Sequence, residues 1–85
     1  MAVTYAHDIR PKFRVGDVGC MTPRGIRLAD AHWMCNPEPG EGVTDHANAR
    51  KVYAALSAGL MPPDEKWSQQ WLDTYQAWMS DGFQP

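Results

Sequence analysis

The C-terminal end of the chain constrains the fold most, because it carries a wide apolar face at helical spacing. Ser68 is a favourable N-cap residue, and we predict a helix over about 69–80 that stops at Gly82. The apolar positions of this helix are Trp71, Leu72, Tyr75, Trp78 and Met79. A face of this width has to be buried against other elements, so this helix is expected to organise the core.

The short length of the chain makes those aromatic side chains important. The 85 residues predict a single small domain over 1–85. A chain of this size buries only about 60–65% of the surface that its unfolded form exposes. Four Trp, three Tyr and two Phe supply the large side chains that a small core needs.

A second helix is predicted over about 45–58. Thr44 is a suitable N-cap, and Gly59 follows the helix where a left-handed C-terminal residue belongs. The apolar residues at i, i+3, i+4 and i+7 are Ala49, Val52, Tyr53 and Leu56. After this helix, Met61-Pro62-Pro63 predicts an extended exit, because a residue that precedes proline avoids helical angles.

The N-terminal region predicts two short helical segments. Asp8 is expected to cap a helix of about 9–14 that buries Ile9 and Phe13. Gly16 should break this helix, and Asp17 should cap a second turn over 18–21, which ends at Thr22-Pro23.

The middle of the chain, over 23–43, is typical of an irregular loop. It contains the turn sequences Pro-Arg-Gly and Asn-Pro-Glu-Pro-Gly, and only Ile26, Leu28 and 31–35 have the character of buried residues. No segment shows the alternation of a β-strand. The sequence therefore predicts an all-α domain of three to four short helices around a long irregular central loop.

Charge and hydropathy exclude two classes of partner. The net charge of −2 argues against nucleic-acid binding, which normally uses a basic face. No apolar run approaches the roughly 18–20 residues of a membrane helix, so we expect no membrane partner. The first residues lack a basic stretch followed by an apolar one, and we therefore expect a cytoplasmic protein.

The two cysteines, Cys20 and Cys35, leave three alternatives open. The first is a pair of reduced, buried thiols, and the second is a disulfide that closes a loop of about 15 residues. The third is a soft-metal site, because Cys20-Met21 and the segment 32–35 collect donors that suit Cu(I). None of the three histidines lies at a zinc-site spacing from a cysteine, so no metal is predicted as the first hypothesis.

Three stretches of sequence together resemble small bacterial c-type cytochrome domains. They are Asp-Ile-Arg-Pro-Lys-Phe-Arg at 8–14, Asp-Val-Gly-Cys-Met at 17–21, and Gly-Leu-Met-Pro-Pro at 59–63 with Trp-Met-Ser-Asp-Gly at 78–82. The chain is also similar to a family of short bacterial proteins of obscure function. That family shares Ile-Arg-Pro-x-Phe-Arg, Met-Pro and a C-terminal Trp-Met-x-x-Gly.

The haem-attachment motif is the point at which the sequence departs from this resemblance. Asp17 stands where the cytochrome pattern has the first cysteine, and Met21 stands where it has the proximal histidine. The resemblance therefore implies a haemless relative with no cofactor. The space that haem occupies in the cytochromes would be filled by tryptophans, namely Trp33, Trp67, Trp71 and Trp78. Alternatively, part of the pocket survives and binds another small ligand, with a lining of Phe13, Cys20, Met21, Leu28, His32, Trp33, Met61 and Trp67.

These observations favour a small non-catalytic accessory domain that binds a protein partner or a small ligand. One alternative is a cofactor-independent enzyme that uses the vacated pocket, with His32 and Asp17 as candidate catalytic residues. Another is a copper carrier that uses the two cysteines. Arg10 and Arg14 lie four apart, so they are expected to form a solvated face, to pair with acids such as Asp17 and Asp81, or to clamp a carboxylate of a partner. His46 is expected to be exposed and neutral.

Overall fold

The computed structural model describes residues 3–40, 42–59 and 66–85, with Cys20 described by its backbone only. These residues are mostly helical and contain no β-strand, which confirms the all-α prediction. The α-helices are α1 (Val15–Met21), α2 (Ala31–Met34), α3 (Ala47–Ser57) and α4 (Gln69–Ser80). No helix within the described ranges is long and apolar enough to cross a membrane.

The N-terminal segment is helical earlier than the sequence predicts. A π-helical turn over Tyr5–Ile9 continues into a 3-10 turn over Arg10–Lys12. Thr4 is the N-cap, and the Asp8 carboxylate accepts the Thr4 N–H at 2.9 Å from inside the turn. The prediction that Asp8 caps a helix over 9–14 was therefore wrong, although Ile9 is buried as expected.

Helix α1 also begins earlier than predicted. Gly16 lies inside it, and Asp17 occupies its third position. The Asp17 carboxylate accepts the Arg14 N–H at 2.9 Å, so it caps the helix from within, as the acidic residue of a capping box does. An acidic residue can accept free N–H groups either as the N-cap or from inside the first turn. For this reason the predicted start at residue 18 was wrong. The predicted end is confirmed, since a 3-10 turn over Thr22–Arg24 follows.

The central region is irregular as predicted, apart from the short helix α2. Asp30 caps this helix, because its Oδ1 accepts the N–H groups of His32 at 2.9 Å and Trp33 at 3.3 Å. The region then passes close to the start of α3. A Cβ atom on Gly40 would lie 2.5 Å from the Cβ of Ala47, so only glycine permits this approach.

Helix α3 starts two residues later than predicted. His46 is its N-cap residue, in a left-handed conformation with φ of 47°. Thr44 does not cap the helix, and its hydroxyl donates to Asp45 at 3.3 Å instead. Gly59 has φ of 75°, which confirms the predicted left-handed residue after the helix. The predicted extended exit at 61–63 lies outside the described residues.

Helix α4 confirms its predicted bounds and both of its end signals. The Ser68 hydroxyl accepts the Trp71 N–H at 3.2 Å, and Gly82 follows the helix with φ of 93°. The helix packs against α3 and against the N-terminal π-helical turn. These two contacts bury the C-terminal half of its apolar face.

An aromatic core lies between these elements. We define it as the buried ring of Trp78 and the three buried rings in contact with it, Tyr5, Tyr75 and Phe83. The Trp78 ring lies at the centre, with centroids 5.5 Å from Tyr5, 5.1 Å from Tyr75 and 5.3 Å from Phe83. Tilted and edge-on contacts of this kind add to the free energy of simple burial.

The polar atoms of the aromatic core bond to backbone carbonyl groups. The Tyr5 hydroxyl donates to the Leu28 carbonyl, and the Tyr75 hydroxyl donates to the Ala49 carbonyl at 2.8 Å. Burial disfavours the charged phenolate and raises the pKa of both tyrosines above the ordinary value of 10.0. Each tyrosine therefore fixes a neighbouring segment, the central region through Leu28 and α3 through Ala49.

One carbonyl group joins the two ends of the described chain. The Gln84 carbonyl accepts the Trp78 indole N–H at 2.7 Å and the Tyr5 backbone N–H at 2.8 Å. Phe83, just before it, has a left-handed φ of 56°. The segment after α4 is thus held between the last turn of that helix and the N-terminal π-helical turn.

Candidate functional site

The best-defined surface depression lies where the N-terminal segment meets the start of α4. It has a volume of about 340 Å³ and is lined by Lys12, Arg14, Asp17, Lys66, Trp67, Ser68 and Trp71. We call it the tryptophan groove. Volumes of about 300–1,000 Å³ are typical of small-molecule sites. Its residues come from three places in the sequence, namely the N-terminal 3-10 turn, the start of α1 and the start of α4.

Two tryptophans form the apolar part of the tryptophan groove. Ser68 starts α4, so Trp71 lies in the first turn of the helix and Trp67 lies just before it. Their rings meet edge to face, with centroids 5.3 Å apart and planes at 87°. Trp67 is buried against Phe13, at 5.2 Å between centroids, whereas Trp71 is 40% exposed. The groove therefore has a fixed aromatic floor and one ring that is open to solvent.

An ion pair occupies the α1 side of the tryptophan groove. Arg14 Nη2 lies 2.9 Å from Asp17 Oδ1, and Arg14 Nε lies 3.1 Å from Asp17 Oδ2. Asp17 is only 8% exposed, so this two-point contact compensates a largely buried carboxylate. The acidic side chain of the groove is therefore neutralised by the fork of Arg14.

Two lysines give the tryptophan groove its remaining charge. Lys12 places its Nζ 5.0 Å from the centroid of the Trp71 ring, at cation–π distance. Lys66 is exposed and lines the groove from the segment that leads into α4. With Arg14, the groove collects three of the eight Lys and Arg residues of a chain whose net charge is −2. Its local charge is opposite to that of the whole chain.

The tryptophan groove therefore offers two kinds of contact side by side. Trp71 presents a flat apolar surface, and the ammonium groups of Lys12 and Lys66 attract negative charge. The start of α4 adds the positive end of a helix dipole, and no acidic residue lies in its first turn. The Ser68 hydroxyl accepts a hydrogen bond in capping α4. This chemistry suits the binding of an anion with a flat apolar group.

The described residues of the predicted small-ligand pocket differ in their exposure to solvent. The structure buries Phe13, Met21, Leu28 and Trp67 in the hydrophobic core, leaves Trp33 half-buried and exposes His32. Phe13 and Trp67 are brought together by their ring contact. Met61 and the side chain of Cys20 lie outside the described part of the structure. The pocket as a whole stays a prediction.

The two predicted catalytic residues line different depressions. Asp17 lines the tryptophan groove, and His32 lines a second depression of about 490 Å³. The other residues around His32 are Ala31, Cys35, Asn36, Pro37, Glu38 and Pro85. The enzymatic alternative stays a prediction, and the geometry of the described residues gives it no shared site.

The described cysteine is a free thiol. Cys35 is half-buried and unpaired, so the structure does not contain the disulfide alternative. Burial raises the pKa of its thiol above the ordinary value. Among the described side chains, no three of His, Cys, Asp and Glu come together as a metal site would need. The copper alternative also involves the side chain of Cys20, which is not described, and it stays a prediction.

The two residues that the resemblance aligns with haem attachment have other contacts in this structure. Asp17 pairs with Arg14, and the Met21 side chain is 6% exposed within the hydrophobic core. Neither residue supplies the thioether or the imidazole that covalent haem requires. The donor set at these two positions does not fit attached haem.

His46 is not the exposed side chain that the sequence predicts. Its ring stacks on Phe83, with centroids 3.7 Å apart and planes at 4°, and its Nδ1 lies 2.6 Å from Asp45 Oδ2. The hydrogen bonds of His46 and Arg50 hold the pKa of Asp45 below its ordinary value. The burial arises from the chain end, because Phe83 is brought over His46 by the segment that follows α4.

The sequence does not reveal Lys12, Lys66 and Trp71 as parts of one site. Lys12 and Lys66 lie far apart in the chain, and Trp71 shares an apolar face with buried residues of α4. One signal was present. Trp71 falls in the first turn of a capped helix, and the apolar face of that helix extends beyond the elements that cover it. Compared with protein-family models, with curated proteins and with solved structures, the chain gives no match.

Proposed function

We propose that the protein is a small non-catalytic binding module, and that the tryptophan groove takes up a ligand that is both anionic and flat. The observation that carries this proposal is the position of Lys12 over the exposed ring of Trp71, at 5.0 Å. A cation and an aromatic surface are thereby held next to each other before any ligand arrives. Such preorganisation lowers the entropic penalty of binding.

The charge distribution supports the same proposal. Among the described residues that line the groove, Asp17 is the acidic one, and its carboxylate is largely buried. Asp17 is bound by Arg14 through two contacts, so it offers little repulsion to an incoming anion. Three of the eight Lys and Arg residues line the groove, and their positive charge attracts anions to it.

We propose a haemless cytochrome c-like domain as the scaffold of this module. The sequence motifs that carry the resemblance support this part of the proposal. A short N-terminal helical segment buries Ile9, an irregular region follows, and the final helix ends at Trp78-Met79-x-x-Gly82. On this scaffold, the ligand site lies at the surface between the first and last helical segments.

A planar anionic dye tests the proposed function directly. We expect anilinonaphthalene sulfonate to bind the folded protein and to gain fluorescence, because its rings pack on Trp71 while its sulfonate meets the lysines. Trp71→Ala and Lys12→Glu should each weaken binding by about tenfold, which corresponds to about 1.4 kcal/mol.

The matched control is Lys51→Glu, which makes the same charge change at an exposed residue of α3 away from the groove. It should bind the dye as the wild type does. Equal weakening by Lys51→Glu and Lys12→Glu would show that only net charge matters. Equal binding by Trp71→Ala and wild type would show that the dye lies elsewhere. Either result would refute the groove as the site.

A further inference from the structure

We infer that the ligand of the tryptophan groove is an acidic segment of a partner protein, in which an aromatic side chain packs on Trp71 and neighbouring Asp or Glu carboxylates bind Lys12 and Lys66. This inference rests on the proposed function and names the class of its ligand. It is carried by three observations, which are the occupied fork of Arg14, the openness of the surface, and the separation of the two lysines in the chain.

The fork of Arg14 is already used within the protein. Its Nε and Nη2 atoms both bond to the Asp17 carboxylate. A two-point arginine contact adds geometric specificity to the recognition of a single phosphate or carboxylate. The remaining cations are lysines, which act as point charges on flexible stems. They suit several dispersed carboxylates better than one compact dianion.

The tryptophan groove has the volume of a small-molecule site but is less enclosed than such sites usually are. Small ligands are typically buried over about 70–90% of their surface. Here Trp71 is 40% exposed, and Val15, next to Arg14 at the start of α1, is 89% exposed. Exposed apolar side chains are therefore present both in the groove and at the residue that follows Arg14, which suits a ligand longer than the groove itself. Trp and Arg are also the residue types that dominate binding energy at protein interfaces.

The two lysines reach the groove from different parts of the fold. Lys12 ends the N-terminal 3-10 turn, and Lys66 lies two residues before the N-cap of α4. Trp71 contacts Lys12, and it lines the groove together with Lys66. An extended peptide matches this arrangement when its acidic residues flank an aromatic one, because side chains on both sides of the ring then meet a cation.

A library of random linear peptides displayed on phage tests the inference. Selection uses the full chain, with counter-selection against the Trp71→Ala variant. We expect the enriched peptides to place Asp or Glu on one or both sides of Phe, Tyr or Trp. Enrichment of basic or uncharged peptides, or no enrichment over the unselected library, would overturn the inference.

Synthetic peptides then assign the contacts. We expect Glu-Glu-Phe-Glu-Glu to bind, with at least tenfold weaker binding by Lys12→Glu and by Trp71→Ala and no change in Lys51→Glu. Glu-Glu-Ala-Glu-Glu should bind about tenfold more weakly than the Phe peptide, and Lys-Lys-Phe-Lys-Lys should not bind. A wild-type affinity that is unchanged between the Phe and Ala peptides would contradict the role of the ring.

Two further outcomes separate this inference from the proposed function. If the anionic dye binds the groove and no acidic peptide does, the module binds a small anion, and the inference fails while the proposed function stands. If Glu-Glu-Tyr-Glu-Glu binds only when its tyrosine is phosphorylated, the ligand is a phosphopeptide, and the inference is again overturned. If neither the dye nor a peptide binds, both proposals fall together.

Discussion

Two tryptophans on the same face of α4 differ in their exposure to solvent. Trp78, in the last turn, is fully buried, contacts three other rings and donates its indole N–H to the Gln84 carbonyl. Trp71, in the first turn, is 40% exposed and lies beside Lys12. The difference comes from the neighbours of each ring, because Trp78 is enclosed by Tyr5, Tyr75 and Phe83, whereas Trp71 contacts Trp67 and Lys12. Position along a helix, and not residue type, decides which aromatic side chains are available to a ligand.

Trp67 connects these two regions. Its ring contacts Trp71 at 5.3 Å on the groove side and Tyr75 at 6.1 Å on the core side. Tyr75 in turn contacts Trp78 at 5.1 Å. A continuous row of ring contacts therefore runs from the open groove to the centre of the molecule. The groove floor is therefore packed against the aromatic core.

Removal of Trp78 should have the largest effect on this comparison. Trp78→Ala leaves a cavity at the centre of three ring contacts, and we expect it to lower the free energy of unfolding by about 3–5 kcal/mol. A loss of this size approaches the whole stability of a small domain. The measurement is chemical denaturation followed by circular dichroism. A midpoint close to that of the wild type would contradict the assignment of Trp78 to the core.

The two core tyrosines provide a matched pair. Tyr5→Phe leaves the Leu28 carbonyl of the irregular region without its hydroxyl donor, so we expect a loss of about 1–3 kcal/mol. Tyr75→Phe should lose only about 0.5–1.5 kcal/mol, because the Ala49 carbonyl lies inside α3, where helical geometry supplies a second donor. Denaturation of both variants under one set of conditions checks the order. Equal losses would show that the surroundings of the carbonyl do not matter.

Alkaline pH should lower the stability that the two core tyrosines give to the fold. Burial raises the pKa of Tyr5 and Tyr75 above 10.0, so the folded protein keeps both phenols neutral after the unfolded chain has begun to ionise. Their contribution to stability is complete below that pH and declines as the pH rises above it. Denaturation as a function of pH should show this decline, with a shallower slope in Tyr5→Phe. An identical slope in wild type and variant would contradict the prediction.

The groove tryptophan should contribute little to stability. Trp71→Ala removes a cation–π contact and a partly exposed ring, and we expect a loss below about 1 kcal/mol. The same substitution should weaken ligand binding by about tenfold, so it affects binding more than stability. A loss comparable to that of Trp78→Ala would place Trp71 in the core and remove the distinction between the two regions.

The smallest effect is expected at Asp45. Its pKa is lowered by hydrogen bonds to His46 and Arg50, so the carboxylate stabilises the fold above its ordinary pKa of 3.8, and this stabilisation is lost as the pH falls below that value. Asp45→Asn should therefore be slightly less stable than wild type at neutral pH, and the two proteins should converge in acid. Thermal melts of the wild type and the variant at neutral and at acidic pH test this expectation. A difference that persists in acid would show that the effect of the substitution is not electrostatic.

The second half of the fold was predictable because its signals are local. Ser68 and Gly82 fix the ends of α4, and no other residue nearby competes for these roles. In the first half, Asp8 and Asp17 each act from inside a helix, where an acidic residue bonds to the N–H group before the helix. Sequence alone does not separate that position from the N-cap itself. Asp30 was overlooked for a related reason, since the helix that it caps is only four residues long.

The candidate site was less predictable than the fold. It depends on contacts between distant segments, such as that between Lys12 and Trp71, and on where the cover of α4 ends. His46 shows the same limitation, because its burial depends on Phe83 at the far end of the chain. Composition indicated that tryptophans would fill the core, but it did not show which ring would stay open.

The shared carbonyl of Gln84 has a consequence for the dynamics of the chain ends. Terminal segments usually fray, and their amide hydrogens then exchange rapidly with solvent. Here the Tyr5 amide bonds to the same oxygen as the Trp78 indole. We therefore expect the Tyr5 amide and the Trp78 indole hydrogens to exchange with deuterium at similar, slow rates, since neither is released while the other bond keeps Gln84 in place. The first and last segments would then open as one cooperative unit.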